Sequence, residues 1–189
     1  PEADPLFKVT IIPRGRSLGG THMLSTEERH TLSEEYLHGQ LITLLAGRAA
    51  EKLLLGTASS GADDDIKRAT AMARSMVSRW GMDEDIGPID LRQSEDHPFL
   101  GQSIAQPRDY ADETAARVDR AVMEILKNAE TKATKILTDH ESGLEYLIRK
   151  LEVAETLDFE GIQECLELNK NVLSLDAKAS KNKKPPSAK

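Results

Sequence analysis

The residues able to do chemistry concentrate in one stretch, Ser59-Ser60-Gly61-Ala62-Asp63-Asp64-Asp65-Ile66-Lys67-Arg68-Ala69-Thr70. Three consecutive carboxylates suit the positive end of a helix dipole, and Ser60 with Asp63 three residues later resembles a capping box. Helical spacing then separates the three acids. At about 100° per residue, Ala62, Ile66, Ala69, Ala73, Met76 and Trp80 form one apolar stripe. Asp63 and Asp64 point away from it with Lys67, Arg68 and Arg74, whereas Asp65 falls on its edge, near Ala69, Met72 and Met76. A carboxylate beside an apolar layer is costly unless something pairs with it. Its partner is an arginine, a set of backbone donors or a metal ion, and the spacing leaves these alternatives open.

Two further groups of residues stand out. Arg48 falls on the same face as Leu37, Leu41, Leu44 and Leu55, with Glu51 beside it. A buried arginine is rarely unpaired, so Arg48 and Glu51 read as members of a polar network, with a structural salt bridge as its plainest form. Leu18-Gly19-Gly20-Thr21 lies in a Gly-weakened segment expected at a sheet edge, where glycine permits close approach by another backbone. Such an edge can pair with an extended peptide, and an ordinary hairpin is the alternative. The five histidines, His22, His30, His38, His97 and His140, show no metal-ligand spacing among themselves. Cys165 sits on a helical apolar stripe and reads as a small core residue. Phosphate-loop, dinucleotide-binding, nucleophile-elbow and H-E-x-x-H motifs are absent from the sequence.

The elements that must position these residues follow from local signals. Phe7 to Ile12 alternates and is β-branched, which predicts a strand, and Ser17 to Leu24 predicts a second. A helix is expected from Ser33 to Leu55 with Gly56 as its stop, and another from the Ser60 region to about Trp80. Gly81 to Ile89 reads as a helix exit and turn, and Asp90 to Gln106 as a long loop. A long helix spans about residues 110–138, carrying Ala115, Val118, Val122, Ile125, Leu126, Ala129 and Ala133. Ser142-Gly143 marks a break before a fourth helix with Leu144, Leu147, Ile148 and Leu151. Thr156-Leu157-Asp158 is expected to cap a short last helix holding Ile162, Cys165 and Leu166. The fold class expected is mainly α with a small β-hairpin or sheet near the N-terminus. Residues 1–173 form the folded part and residues 174–189 a disordered basic tail.

Composition sets the bounds. The chain has 189 residues, enough for a real core, and 39% of them are hydrophobic but only 4% aromatic, so that core must be aliphatic. A net charge of −7 argues against nucleic acid as the main partner. The lone Cys165 excludes an internal disulfide framework and fits a reducing compartment. No apolar run approaches the roughly 18 residues of a membrane span, and no signal peptide is evident.

Taken together, several of these stretches resemble the peptidase domain of the FtsH family of membrane-bound, ATP-dependent zinc metalloproteases. The similar segments are Val9-Thr10-Ile11-Ile12-Pro13-Arg14-Gly15-Arg16-Ser17-Leu18-Gly19, Leu45-Ala46-Gly47-Arg48-Ala49-Ala50-Glu51 and Ser60 to Thr70. Gly81-Met82, Ile86-Gly87-Pro88 and Glu155-Thr156-Leu157-Asp158 follow in the family's order. The resemblance covers about residues 4–168, and Asp64 stands where many members have Asn. It implies a helical, FtsH-like peptidase domain that assembles as a homo-hexamer and acts on protein or peptide substrates. It also implies a zinc ion held by two His of an H-E-x-x-H helix and by a distant Asp that matches Asp65. ATP would be used by an ATPase module, and the membrane reached through segments, that this chain does not contain. The implied location is a membrane-associated parent whose soluble protease domain lies on the cytoplasmic side if bacterial, or in an organelle matrix, stroma or intermembrane space if eukaryotic.

The missing H-E-x-x-H motif is the main departure from the family. A single carboxylate does not make a zinc site, and the family's general base is the Glu of that motif. The expectation is therefore the C-terminal part of a zinc metallopeptidase domain, cut inside that domain, with Asp65 as its one metal ligand and no activity of its own. The alternative is a non-catalytic helical oligomerisation module derived from the same family.

Overall fold

The computed structural model describes residues 4–13, 15, 19–24, 31–91 and 110–166. In chain order these form β1 (Leu6–Thr10), β2 (Gly20–Met23), α1 (Glu34–Leu55), a 3-10 turn (Ser60–Ala62), α2 (Asp63–Ser78), α3 (Asp112–Asp139), α4 (Glu141–Ala154) and β3 (Thr156–Asp158). Residues 159–166 are helical. The chain is mainly helical with one small antiparallel sheet, as the sequence predicts. The expected loop beyond Leu91, Leu18 and the tail over 174–189 lie outside the described residues.

The described residues divide into two units, the first holding 31–91 and 110–136, and the second holding 4–13, 15, 19–24 and 137–166. In the first, α1 begins where a local acceptor exists. Ser33 accepts the Tyr36 N–H at 3.3 Å, and Glu34 and Glu35 occupy the first turn. The helix stops at Gly56, which adopts φ +70° and donates its N–H to Lys52 at 3.1 Å. Leu37, Leu41, Leu44 and Leu45 of α1 pack with Ala69, Ala73, Met76 and Val77 of α2 and with Val118, Val122 and Ala129 of α3. Leu91 closes this core, fastened by its N–H to the Ser78 carbonyl at 2.8 Å. The turn after α2 requires Gly81: φ is +63°, and a Cβ there would stand 2.8 Å from Pro88 Cα.

In the second unit the strand order is β2-β1-β3, with both pairings antiparallel. Here the structure departs from expectation. Thr156 to Asp158 is a third strand rather than only a cap, pairing Thr10 with Thr156, Val9 with Leu157 and Lys8 with Asp158. The Thr10 and Thr156 hydroxyls share a 2.8 Å hydrogen bond, and the Ile11 N–H donates to the Glu155 carbonyl at 2.9 Å. Asp158 still caps the helix over residues 159–166, accepting the Gly161 N–H at 3.0 Å. Leu151, Leu157 and Ile162 form the core of this unit, with Leu6, Val9 and Leu147 against it.

Three further expectations are corrected. The break before α4 falls at His140, so Ser142 and Gly143 lie inside the helix. Leu55 is 71% exposed, because it ends its helix beyond the partners that cover Leu37 to Leu45. Ile66 and Trp80 are each 41% exposed, whereas Ala62, Ala69, Ala73 and Met76 are buried, so the expected apolar stripe is covered except at Ile66 and at Trp80, which lies beyond the end of α2.

Candidate functional site

α2 starts at Asp63, and the capping box expected from Ser60 and Asp63 does not form. Ser59 instead caps the preceding 3-10 turn, its hydroxyl accepting the Gly61 N–H at 3.1 Å. Ala62 takes the N-cap position of α2 and has no side-chain acceptor to offer. Asp63, Asp64 and Asp65 all lie in the first turn of α2, where the helix dipole favours negative charge.

Asp63 and Asp64 are exposed, and Asp65 is half-buried. Among the described residues the cation paired with Asp65 is Arg68, one turn on, with Nη1 3.9 Å from Oδ1. The pair is open to water, with Asp65 46% exposed and Arg68 71%. A pair so long and so exposed is worth at most about 1 kcal/mol, so a stronger partner can displace the guanidinium. A carboxylate oxygen is one of the donors a zinc ion takes, beside imidazole nitrogen and thiolate sulfur. It is one donor only: among the described residues no three His, Cys, Asp or Glu side chains converge as a metal site. These residues fit a single ligand and do not make a centre.

Arg48 and Glu51, expected in one network, turn to different partners. Arg48 pairs with Glu130 of α3, which also accepts Lys52 Nζ at 2.9 Å. Glu51 takes Ser59, just ahead of α2, as its hydrogen-bond partner. Its Oε2 accepts the Ser59 N–H at 2.8 Å and its Oε1 accepts the Ser59 hydroxyl at 2.7 Å. These two bonds hold the Glu51 carboxyl below the ordinary glutamate range, the backbone donor contributing most, with Arg48 adding a smaller pull. The clamp is therefore intact at neutral pH and is lost as pH falls through that lowered value.

The proposed peptide edge belongs to the second unit. β2 is an outer strand of the sheet, and Thr21 is exposed on it. The Leu24 N–H donates to Pro5 at 3.1 Å, and alternation along the strand turns the Thr21 N–H away from β1. Gly19 has a local explanation. A Cβ there would stand 2.5 Å from the Thr10 carbonyl oxygen, so the glycine admits the chain's own β1. At Gly20 a Cβ would make only an ordinary 3.5 Å contact with His22. Leu18 lies outside the described residues.

Sequence reasoning missed Glu130 and the role of Ser59. Glu130 is 82 positions from Arg48 and carries no local signal. Ser59 had one, the Ser59-Ser60 doublet ahead of the acids, in which either serine could cap.

A model of peptidase family M41 matches residues 1–165. The chain is 54% identical over 167 residues to the ATP-dependent zinc metalloprotease FtsH of Hahella chejuensis, covering 88% of this chain and 27% of that protein. It is 43% identical over 175 residues to the FtsH of Nitrosococcus oceani, covering 93% and 27%. It is also 43% identical over 166 residues to FtsH 4 of Sphaerobacter thermophilus, covering 88% and 25%. The chain thus spans about a quarter of the length of the curated relatives it matches.

Proposed function

The chain belongs to peptidase family M41, and from that premise we propose that it serves as part of the peptidase domain of an ATP-dependent zinc endopeptidase, with Asp65 as a zinc ligand. The observation that carries this reading is Asp65 itself. It is the one acid of its triplet that is half-buried, it lies at the positive end of α2, and among the described residues its carboxylate is held by a long, exposed ion pair. The remaining ligands and the general base would come from residues outside this chain. Zinc, when bound, would supply Lewis-acid polarisation of a peptide carbonyl. Asp65 would contribute one anionic oxygen, with its backbone fixed by the first turn of a helix whose other face is buried against α1.

The wider reading follows the printed names of the relatives and the family resemblance. The substrates would be proteins or peptides, ATP would act through a module outside this chain, and the working assembly would be a homo-hexamer attached to a membrane by other segments. An extended substrate would pair with the edge at Gly19, Gly20 and Thr21, next to Leu18. Among the described residues no helix is long and apolar enough to cross a membrane.

The deciding experiment compares Asp65→Asn with Asp63→Asn in the full-length gene product. The first is expected to lower zinc content and proteolysis together, and the second to change neither appreciably. Equal zinc in the two variants by metal analysis would remove Asp65 from the site.

A further inference from the structure

We infer that Glu51 is a positioning residue for Asp65, acting through Ser59; this rests on the reading of Asp65 as a zinc ligand. α2 has no side-chain cap of its own, because Ala62 occupies the N-cap position. The orientation of its first turn is therefore set one step upstream. Glu51 takes both the N–H and the hydroxyl of Ser59, at 2.8 and 2.7 Å. The same hydroxyl accepts the Gly61 N–H at 3.1 Å, and the Asp63 N–H donates to the Ser60 carbonyl. These hydrogen bonds, linked through the Ser60-Gly61 peptide, thus join the last turns of α1 to the first turn of α2.

Both ends of this path are braced. Arg48 and Lys52, which flank Glu51 along α1, are tied to Glu130 of α3. Below the first turn of α2, Ala69 and Ala73 are fully buried in the core. Gly61 is the close point of the turn: a Cβ there would stand 3.2 Å from Ser59 Oγ and 3.7 Å from Glu51 Oε1. With the Glu51–Ser59 bonds intact, the carboxylate of Asp65 keeps a set position relative to α1. Without them, the turn loses its hydrogen-bonded tie to α1 and is seated by the packing of the buried Ala62, which leaves the position of the first turn of α2 less closely set.

The test uses the full-length gene product with Glu51→Gln, Ser59→Ala, Ser59→Thr and Asp65→Asn. Zinc affinity is read by competition with a chromogenic chelator, ligand geometry by the visible spectrum of the cobalt(II)-substituted protein, and folding by thermal melting. Glu51→Gln and Ser59→Ala are expected to weaken zinc binding about tenfold, as loss of an orienting partner of a metal ligand does. They should alter the cobalt spectrum while leaving the melting midpoint near that of the unaltered protein. Ser59→Thr, which keeps both donors, should restore affinity and spectrum. If Glu51→Gln and Ser59→Ala bind zinc as tightly as the unaltered protein while Asp65→Asn loses it, the ligand stands and the positioning role is wrong. If Asp65→Asn keeps its zinc, the ligand reading fails and this inference falls with it. Should Glu51→Gln not fold, Ser59→Ala decides alone, since it removes one exposed hydroxyl and leaves both cores intact.

Discussion

Cys165 shows how environment decides what a residue can do. The side chain is 1% exposed and its Sγ lies 3.1 Å from the Gly161 carbonyl. Burial pushes the thiol pKa up, outweighing the opposite pull of nearby Lys150, whose ammonium is held by Glu164. The folded protein is therefore expected to resist iodoacetamide at mildly alkaline pH and to react once unfolded in urea, as read by mass spectrometry across a denaturant series. The sign of the linkage follows from the raised value. The contribution of Cys165 to stability is complete below the ordinary thiol pKa of about 8.5 and is lost as pH rises through its folded value. Asp65 is the contrasting residue. Its neighbours leave it half in water, with an exposed ion pair that a stronger partner can replace.

At the scale of elements, helix limits were legible where the deciding group is local. Ser33 and Gly56 bound α1 as expected, because a cap needs only a side chain within three residues or a glycine able to reach positive φ. β3 was not legible. Three residues are too few to show a period of two, and the partner strand lies nearly 150 positions away. The edge at β2 yields a prediction at this scale. Thr21→Pro removes an outward N–H and leaves the β1 ladder in place, and proline is tolerated on edge strands. Degradation of an unfolded protein by the full-length gene product should then slow while zinc content stays unchanged. Degradation at the full rate would exclude this edge as the strand that receives substrate.

At the scale of the whole molecule, two units carry two cores, and each is described by its own packing. The first is built from leucines of α1 over alanines, a methionine and valines of α2 and α3, which meets the requirement for an aliphatic interior. Leu41 has no exposed surface in it. Leu41→Ala is expected to destabilise the protein by about 3 kcal/mol, through lost transfer energy and the cavity left behind, measured by urea unfolding monitored by circular dichroism. Leu55, 71% exposed at the end of the same helix, provides the control: its truncation should cost far less.

The sequence by itself determined the helical class, the limits of α1, the aliphatic interior, the family and the order of the three acids around α2. Each of these depends on spacing along the chain or on residues adjacent in it. Only the tertiary structure decided that Thr156 to Asp158 is a strand, that Arg48 and Glu51 serve different partners, and that Ser59 rather than Ser60 holds the turn before Asp65. The physical reason is the same in each case. A hydrogen-bond donor or a charge takes the partner that packing brings within about 3 Å, and packing is set by contacts between residues far apart in the chain.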